Sequence, residues 1–402
     1  MKWKFRCGAA LGNALEYYDI AVFAAISMYL SAELERLGYS QATEMVWGIF
    51  ALRFLIRPIG GYLIGRYADR VGKKSALILT SFITGTATLC MALLPIELLG
   101  AYTPMAILVL QMALSFSFAG EYPSLVTYLL NDVPATERSR VSSLAAGSSL
   151  LGVVFSLGLV FVLEKLLSHE MMQTVGWRIP LLVGAVNIAV SFWFRAKLPN
   201  QPVSSESYKP IDWSRSLHVF LLGVPATATF YVQNISSSLI IEHLQLDDYK
   251  STYAMIASSL LLIMMIICAY LTDKYSSSIK TFNAGVWGVV ILSIPLYFIM
   301  QSGIIELIII TQLVTTACFA MILCNVADQM VRASDGQATT FGIGFNFTGV
   351  IIGGTTPLII SYLVELHLAY VGGFVALCSS TALLSNFLKK KTAVIKKLSL
   401  NT

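Results

Sequence analysis

Five charged residues lie inside long apolar stretches of this 402-residue chain: Glu16, Asp19, Arg53, Arg57 and Glu121. The two acids near the N-terminus are three positions apart and the two arginines four apart, so each pair would share one face of a helix. Carboxylates bind and release protons, and guanidinium groups bind carboxylates through paired hydrogen bonds. These residue types predict a site that exchanges a proton and binds an organic anion.

The composition indicates a polytopic membrane protein. Hydrophobic residues make up 56% of the chain, charged residues 12%, and the mean hydropathy is +0.73. A soluble chain is about one quarter charged. A charge at the centre of a bilayer costs about 2.5–3.5 kcal/mol even on lenient scales, so charges kept there are functional candidates.

The apolar runs are long enough for twelve membrane spans. A span needs about 20 mainly apolar residues, and it must be helical because lipid cannot satisfy the backbone. The predicted spans are residues 10–32, 44–66, 75–95, 104–130, 139–165, 178–198, 215–241, 250–272, 280–301, 303–327, 337–363 and 368–388. We therefore predict an all-α protein of two six-helix bundles, residues 1–198 and 215–402, joined by a polar cytoplasmic linker at 199–214.

The distribution of basic residues predicts the orientation of the chain. With both termini in the cytoplasm, the connecting segments and helix ends on that side hold 21 of the 27 Lys and Arg residues, Arg195 and a basic C-terminal tail among them. The outer segments hold four, namely Arg36, Lys165, Arg178 and Lys250. Basic residues are enriched on the cytoplasmic side, so both termini are expected there.

A glycine-rich helix end runs into a charged turn after the second predicted span. The segment reads Gly65-x-x-x-Asp69-Arg70-x-Gly72-Lys73-Lys74, preceded by Arg57-Pro58-x-Gly60-Gly61. It resembles the loop between helices two and three of the major facilitator superfamily, in its metabolite:proton symporter branch. There the loop latches two helical bundles on the cytoplasmic side, so the resemblance implies a gating role for Asp69, Arg70, Gly72 and Lys73. Asp273 stands at the equivalent place in the second half, within Ala269-x-x-x-Asp273-Lys274.

Further motifs resemble the same branch in the same order. They are Gly12-Asn13-x-x-Glu16-Tyr17-Tyr18-Asp19, Gly120-Glu121-Tyr122, Gly176-Trp177-Arg178-Ile179-Pro180 and Phe345-Asn346. The resemblance implies two parallel halves with a site between them near mid-membrane, and solutes such as proline, betaine, citrate or 2-oxoglutarate. Gln111 stands where the family usually has an arginine that is tied to proton coupling, and Arg53 where it usually has a small residue.

The candidate site residues fall into two groups. For solute binding we predict Arg53, Arg57, Asn13, Tyr17, Gln111, Tyr231, Gln233 and Asn346. For proton coupling we rank Asp19 first, then Glu16, then Glu121. Two alternatives stand: the neutral side chains could make interhelical contacts only, and the acids and arginines could neutralise each other in a network that fixes helix packing.

The predicted function is secondary active transport, with proton-coupled uptake of a carboxylate or carboxylate-rich chelator by alternating access. The alternatives are a proline/betaine symporter, an exporter of a metabolite or siderophore, and a non-transporting receptor. No enzyme is expected, because the chain has neither Gly-x-Ser-x-Gly nor His-Glu-x-x-His, and Tyr67 replaces the first glycine of a phosphate-binding loop. We expect a monomer in the bacterial inner membrane with an anionic solute, a proton and lipid as partners, and without cofactor, metal or nucleic acid.

Overall fold

The structure, a computed structural model, describes residues 2–200, 211–234, 240, 243–244 and 250–399. Two parts of the sequence prediction lie outside the described residues. They are the middle of the predicted linker, residues 201–210, and most of the end of the seventh predicted span, residues 235–239 and 241.

The described chain is helical, with no strand in the ranges given above. The first helices are α1 Trp3–Ala25, α2 Ser27–Arg36, α3 Ala42–Leu52, α4 Arg57–Val71, α5 Lys73–Ala92, α6 Ile96–Leu99, α7 Thr103–Leu129, α8 Arg138–Leu166, α9 His169–Met171 and α10 Arg178–Ala196. The later ones are α11 Trp213–Asn234, α12 Lys250–Tyr275, α13 Ser278–Met300, α14 Ile305–Leu323, α15 Val326–Ala333, α16 Ala338–Thr348, α17 Thr356–Leu366 and α18 Leu368–Ser399. The all-α prediction is confirmed.

Ten helical stretches among the described residues are long and apolar enough to cross a membrane. They are Gly48–Val71, Lys73–Ala92, Ile96–Leu129, Ala135–Leu166, Met172–Ala196, Met255–Tyr275, Ser278–Met300, Ile305–Ala333, Ala338–Leu366 and Leu368–Leu388. The first and seventh of the twelve predicted spans correspond to α1 and α11, helices of 23 and 22 residues that are not among the ten. Four charged residues in α1 lower its apolar content.

Contacts divide the chain into two compact units. The first comprises Met1–Asp132, Leu144–Ile211 and Gln337–Asn346, and the second comprises Val133–Ser143, Asp212–Gly336 and Phe347–Thr402. The start of α8 therefore belongs to the second unit and the start of α16 to the first. The sequence prediction, with its two uninterrupted bundles, did not foresee these two segments.

In the first unit, the helices that carry the candidate acids pack directly on one another. α1 packs on α10, α5 packs on both α7 and α10, and α4 packs on α7. A hydrophobic cluster that includes Val22, Phe23, Leu30 and Trp177 supports this part of the unit. Burial of these side chains fixes the helix faces from which polar groups project.

In the second unit, α11 packs on α18, α13 packs on α14 and α18, and α12 packs on α14. Val224, Ala228 and Cys378 form a buried cluster with Phe220 and Phe374 beside it. Large apolar side chains such as Ile266, Ile291 and Leu377 are more than half exposed, as expected for helices whose outer faces contact lipid rather than water.

Candidate functional site

One guanidinium and two carboxylates form a buried cluster in the first unit. Arg195, in the last turn of α10, donates from Nη1 to Glu16 Oε1 on α1 and from Nη2 to Glu121 Oε1 on α7. The side chains of Arg195, Glu16 and Glu121 are 0%, 2% and 1% exposed. Because buried charges are costly unless paired and hydrogen-bonded, this ion pairing holds α1, α7 and α10 in one arrangement.

Neutral groups of α5 complete the surroundings of the guanidinium. The Leu77 carbonyl accepts from Arg195 Nη1 at 3.0 Å, and Nη1 also donates to Ser81 Oγ. The Ser81 hydroxyl donates to Glu16 Oε1 at 3.3 Å. On α1, a Cβ at Gly12 would lie 3.0 Å from Arg195 Nε, so a glycine is needed for the guanidinium to approach this closely.

This arrangement corrects two expectations. The sequence pattern predicts that Arg195 is one of the cytoplasmic charges, whereas the structure buries it completely in the last turn of α10. The second expectation is that Glu16 and Asp19 are neutralised by Arg53 and Arg57. For Glu16 this is wrong, because its Oε1 pairs with Arg195. Nothing in the sequence distinguishes Arg195 from the other basic residues near helix ends.

Asp19 has surroundings unlike those of Glu16. It is 2% exposed, and neither of its carboxylate oxygens has a hydrogen-bond partner among the described residues. Gly184 on α10 makes room for it, because a Cβ there would overlap Asp19 Oδ1 and lie 3.2 Å from Thr88 Cγ2. A buried carboxylate without a partner is strongly disfavoured while it is ionised, so this position suits a carboxyl group that takes up a proton.

Arg53 is the first residue of a 3-10 turn, Arg53–Ile56, that separates α3 from α4. It is 2% exposed, and its Nη1 donates to Gln111 Oε1 on α7 at 2.7 Å. Its guanidinium carbon lies 4.1 Å from the ring centroid of Phe50 and 5.7 Å from that of Phe23. Two predicted solute-binding residues, Arg53 and Gln111, are thus brought into direct contact.

Arg57 is the first residue of α4 and is 6% exposed. Its guanidinium carbon lies 4.1 Å from the ring centroid of Phe54 and 4.8 Å from that of Phe118, and Tyr17 stands edge-on to Phe118 at 4.9 Å. A 3-10 turn interrupts the α-helix between Arg53 and Arg57, yet both guanidinium groups lie over the Phe54 ring, with the Arg53 guanidinium carbon 5.5 Å from its centroid. Aromatic faces contact the plane of a guanidinium, whereas carboxylates bind its edge, so the two contacts are compatible.

Two predicted amide side chains of the first unit are engaged by the protein. Asn13 Nδ2 donates to Ser148 Oγ at 2.8 Å and to Ser149 Oγ at 3.0 Å. Asn346 Nδ2 donates to the carbonyls of Ala119 and Gly342, each at 2.7 Å. These bonds favour the alternative in which Asn13 and Asn346 position helices.

The two candidates in the second unit, Tyr231 and Gln233, lie on α11. Gln233 Nε2 donates to the Ala257 carbonyl and to Thr316 Oγ1, both at 3.0 Å, and Gln233 Oε1 accepts from Gln312 Nε2 at 3.0 Å. These hydrogen bonds favour the alternative in which Gln233 makes interhelical contacts. Tyr231 is partly exposed, and a Cβ at Gly353 would lie 3.1 Å from its ring.

The predicted gating acids both cap the N-terminus of a helix. In the first unit, Asp69 accepts from the backbone N–H groups of Ala338 and Thr339 in α16, both at 2.8 Å. In the second unit, Asp273 accepts from the backbone N–H groups of Ser139 and Arg140 in α8, at 2.9 and 3.0 Å. A carboxylate at a helix N-terminus satisfies unpaired donors and complements the helix dipole.

The other residues of the charged turn follow Asp69 in the sequence. Gly72 has a φ of 121°, a conformation that a residue with a Cβ rarely adopts, and this turn separates α4 from α5. Lys73 Nζ donates to the Thr127 carbonyl at 3.3 Å, and Arg70 is exposed at the end of α4.

Sequence reasoning missed Asp328, a buried acid in the second unit. Its carboxylate accepts from Arg138 Nη1 at 2.6 Å, from Arg332 Nε at 2.9 Å and from the Ser278 hydroxyl. Asp328 lies just after the tenth predicted span and looked like a loop residue, so no pattern in the sequence marked it.

Comparisons with known proteins agree with this all-helical architecture. A family model described as Major Facilitator Superfamily matches residues 9–357. A putative proline/betaine transporter of Staphylococcus aureus (strain MSSA476) is 25% identical, over 88% of this chain and 80% of its own length. The proline/betaine transporter of Escherichia coli (strain K12) is 24% identical, over 89% and 77%. The solved proton:xylose symporter XylE shares the fold with a TM-score of 0.77 at 15% identity, over 96% of this chain and 95% of that one.

Proposed function

This chain belongs to the Major Facilitator Superfamily, and from that premise we propose that it carries a small carboxylate-bearing solute together with a proton by alternating access. It is a multi-pass membrane transporter and not an enzyme. The proposed direction is uptake across the bacterial inner membrane, with both termini in the cytoplasm. The proposed six-helix bundles are residues 1–198 and 215–402, and the proposed active form is a monomer.

The observation that carries the proton-coupling proposal is the isolation of Asp19. Its carboxyl group is buried on α1 without a hydrogen-bond partner among the described residues. A proton neutralises it at little cost, and its release requires a change in hydration or a new cation nearby. A conformational cycle that alternately exposes and buries Asp19 would therefore move one proton in each transport cycle.

The solute-binding proposal rests on Arg53 and Arg57. Both are buried, both contact aromatic rings, and Gln111 next to Arg53 adds a neutral amide. Guanidinium groups bind carboxylates through two parallel hydrogen bonds. Two arginines suit a solute with two or three carboxylates, which is our preferred class, and Tyr17 completes the proposed set.

A second candidate is a zwitterion such as proline or betaine, the solutes named for two relatives at 24–25% identity. Each of these solutes has one carboxylate, which a single arginine could bind, and one cationic nitrogen. Tyr17, Phe118 and Tyr122 form an aromatic cluster, with ring centroids 4.9 and 6.3 Å apart, and aromatic faces attract quaternary ammonium groups. Export remains an alternative, because gradients set the direction of a reversible carrier.

The deciding experiment is uptake into proteoliposomes that contain the purified protein. The panel comprises citrate, 2-oxoglutarate, proline and betaine, each with and without an inwardly directed proton gradient. We expect gradient-dependent accumulation of at least one di- or tricarboxylate. Accumulation of betaine or proline alone would select the second candidate, and gradient-independent uptake of all four would refute proton coupling.

A further inference from the structure

The cluster of Glu16, Glu121 and Arg195 contains one more negative charge than positive charge if all three groups are ionised. Arg195 donates to one oxygen of each carboxylate. Glu16 Oε2 and Glu121 Oε2 have no hydrogen-bond partner among the described residues. One guanidinium can neutralise one carboxylate, so the second would remain a buried, uncompensated anion.

Among the described residues, the other groups that hydrogen-bond to this cluster do not supply the missing positive charge. From α5 come the Ser81 hydroxyl and the Leu77 carbonyl, both neutral. From α1 comes Asp19, three residues after Glu16, which would add a further negative charge if ionised. An excess buried charge is costly, and like charges that share a site favour protonation of one of them.

We propose that Glu16, Glu121 and Arg195 form a second proton-binding site, separate from Asp19, in which the two carboxylates share one proton. The guanidinium balances the ionised carboxylate, the proton neutralises the other, and the cluster as a whole has no net charge. Arg195 is a positioning residue here: it fixes the two carboxylates beside each other and sets the number of protons they hold. This inference deepens the proposed function by adding a proton site to the unit that contains Asp19.

The test is infrared spectroscopy of the purified protein in lipid at neutral pH, where a protonated carboxyl group gives its own C=O stretching band. Asp19→Asn serves as the background and removes the contribution of Asp19. We expect the band in D19N and its loss in both D19N/E16Q and D19N/E121Q, because either change leaves a neutral pair with Arg195. D19N/S81A is the matched control and should keep the band, since it removes a hydrogen bond from the cluster without changing charge.

Arg195→Gln in the D19N background tests directly whether the guanidinium sets the number of protons that the two carboxyl groups hold. Without the guanidinium both carboxyl groups should be protonated, so the band should roughly double. If R195Q does not fold, D19N/E16Q and D19N/E121Q still test whether the two carboxylates share a proton. Persistence of the D19N band in both glutamine variants, or its absence in D19N, would overturn the proposal. The spectra are recorded without transport, so they test the shared proton independently of the proposed function. The proposed function would instead be contradicted if solute transport moved no protons.

Discussion

Glu16 and Asp19 are three residues apart on α1, yet their surroundings differ in what they contain. Glu16 contacts a guanidinium and a hydroxyl, whereas Asp19 has no partner among the described side chains. Environments that separate the protonation behaviour of two nearby carboxyl groups assign them different roles. At the scale of single residues, Asp19 is suited to exchanging a proton, and Glu16 to holding helices together through its contacts with Arg195 and the proton that we propose it shares with Glu121.

Replacement of Asp19 with Asn removes the proposed exchangeable proton without a change in size. We expect loss of gradient-driven accumulation in proteoliposomes, while solute exchange between equal concentrations on both sides continues, because exchange needs no net proton movement. Glu97→Gln is the matched control, since Glu97 is 83% exposed and should have no effect. Full accumulation by D19N would place coupling elsewhere.

Arg53→Ala should weaken binding of a carboxylate solute by more than tenfold, which is about 1.4 kcal/mol. The reason is loss of a buried guanidinium that presents paired donors, and Arg53→Lys should recover only part of the affinity because an ammonium has no planar fork. Titration calorimetry on detergent-solubilised protein measures the effect. Arg36→Ala, at a side chain that is 53% exposed, is the control, and an equal loss in both variants would contradict the assignment.

At the scale of helices, α4 and the first part of α16 pack closely within the first unit. A Cβ at Gly61 would lie 2.9 Å from the Gly342 carbonyl, and one at Gly65 would lie 2.7 Å from Thr339 Cα. Small residues spaced four apart allow two backbones to approach in this way. Asp69, one turn beyond Gly65, then caps the N-terminus of α16.

Asp69→Asn keeps a hydrogen-bond acceptor at this cap and removes its charge. The interaction of a charge with a helix terminus is worth about 0.3–1 kcal/mol at exposed sites and about 2 kcal/mol when partly buried. We expect turnover to fall several-fold with solute affinity nearly unchanged, as measured by transport rate against equilibrium binding. Asp273→Asn removes the corresponding charge from the cap of α8 and should also reduce turnover. Equal losses of affinity and turnover would assign Asp69 to the binding site.

α1 and α10 approach through two glycines, each opposite a charged residue of the other helix. Gly12 makes room for Arg195 and Gly184 makes room for Asp19. Gly184→Ala should displace the Asp19 carboxyl and reduce gradient-driven accumulation, and it should have little further effect in the D19N background. Gly158→Ala on α8 is the control, because a Cβ there meets nothing within 4 Å. Additive losses in the double variant would show that Gly184 acts independently of Asp19.

For the whole molecule, the sequence was sufficient for the all-α fold, the membrane class and the family, because apolar runs and turn motifs are local signals. It was insufficient where a contact joins distant segments. Burial of Arg195 depends on α1, α5 and α7 around it. A basic residue near a helix end has the same local pattern whether it contacts water or a buried carboxylate.

In the proposed mechanism, solute and proton cross the membrane together. The most direct measurement uses proteoliposomes without an imposed gradient, in which a carboxylate solute is added outside and the external pH is recorded with an impermeant dye. Solute flowing down its own gradient should draw protons inward and raise the external pH, with no such change in D19N liposomes that still exchange solute. Solute uptake by the wild-type protein without any pH change would contradict the account.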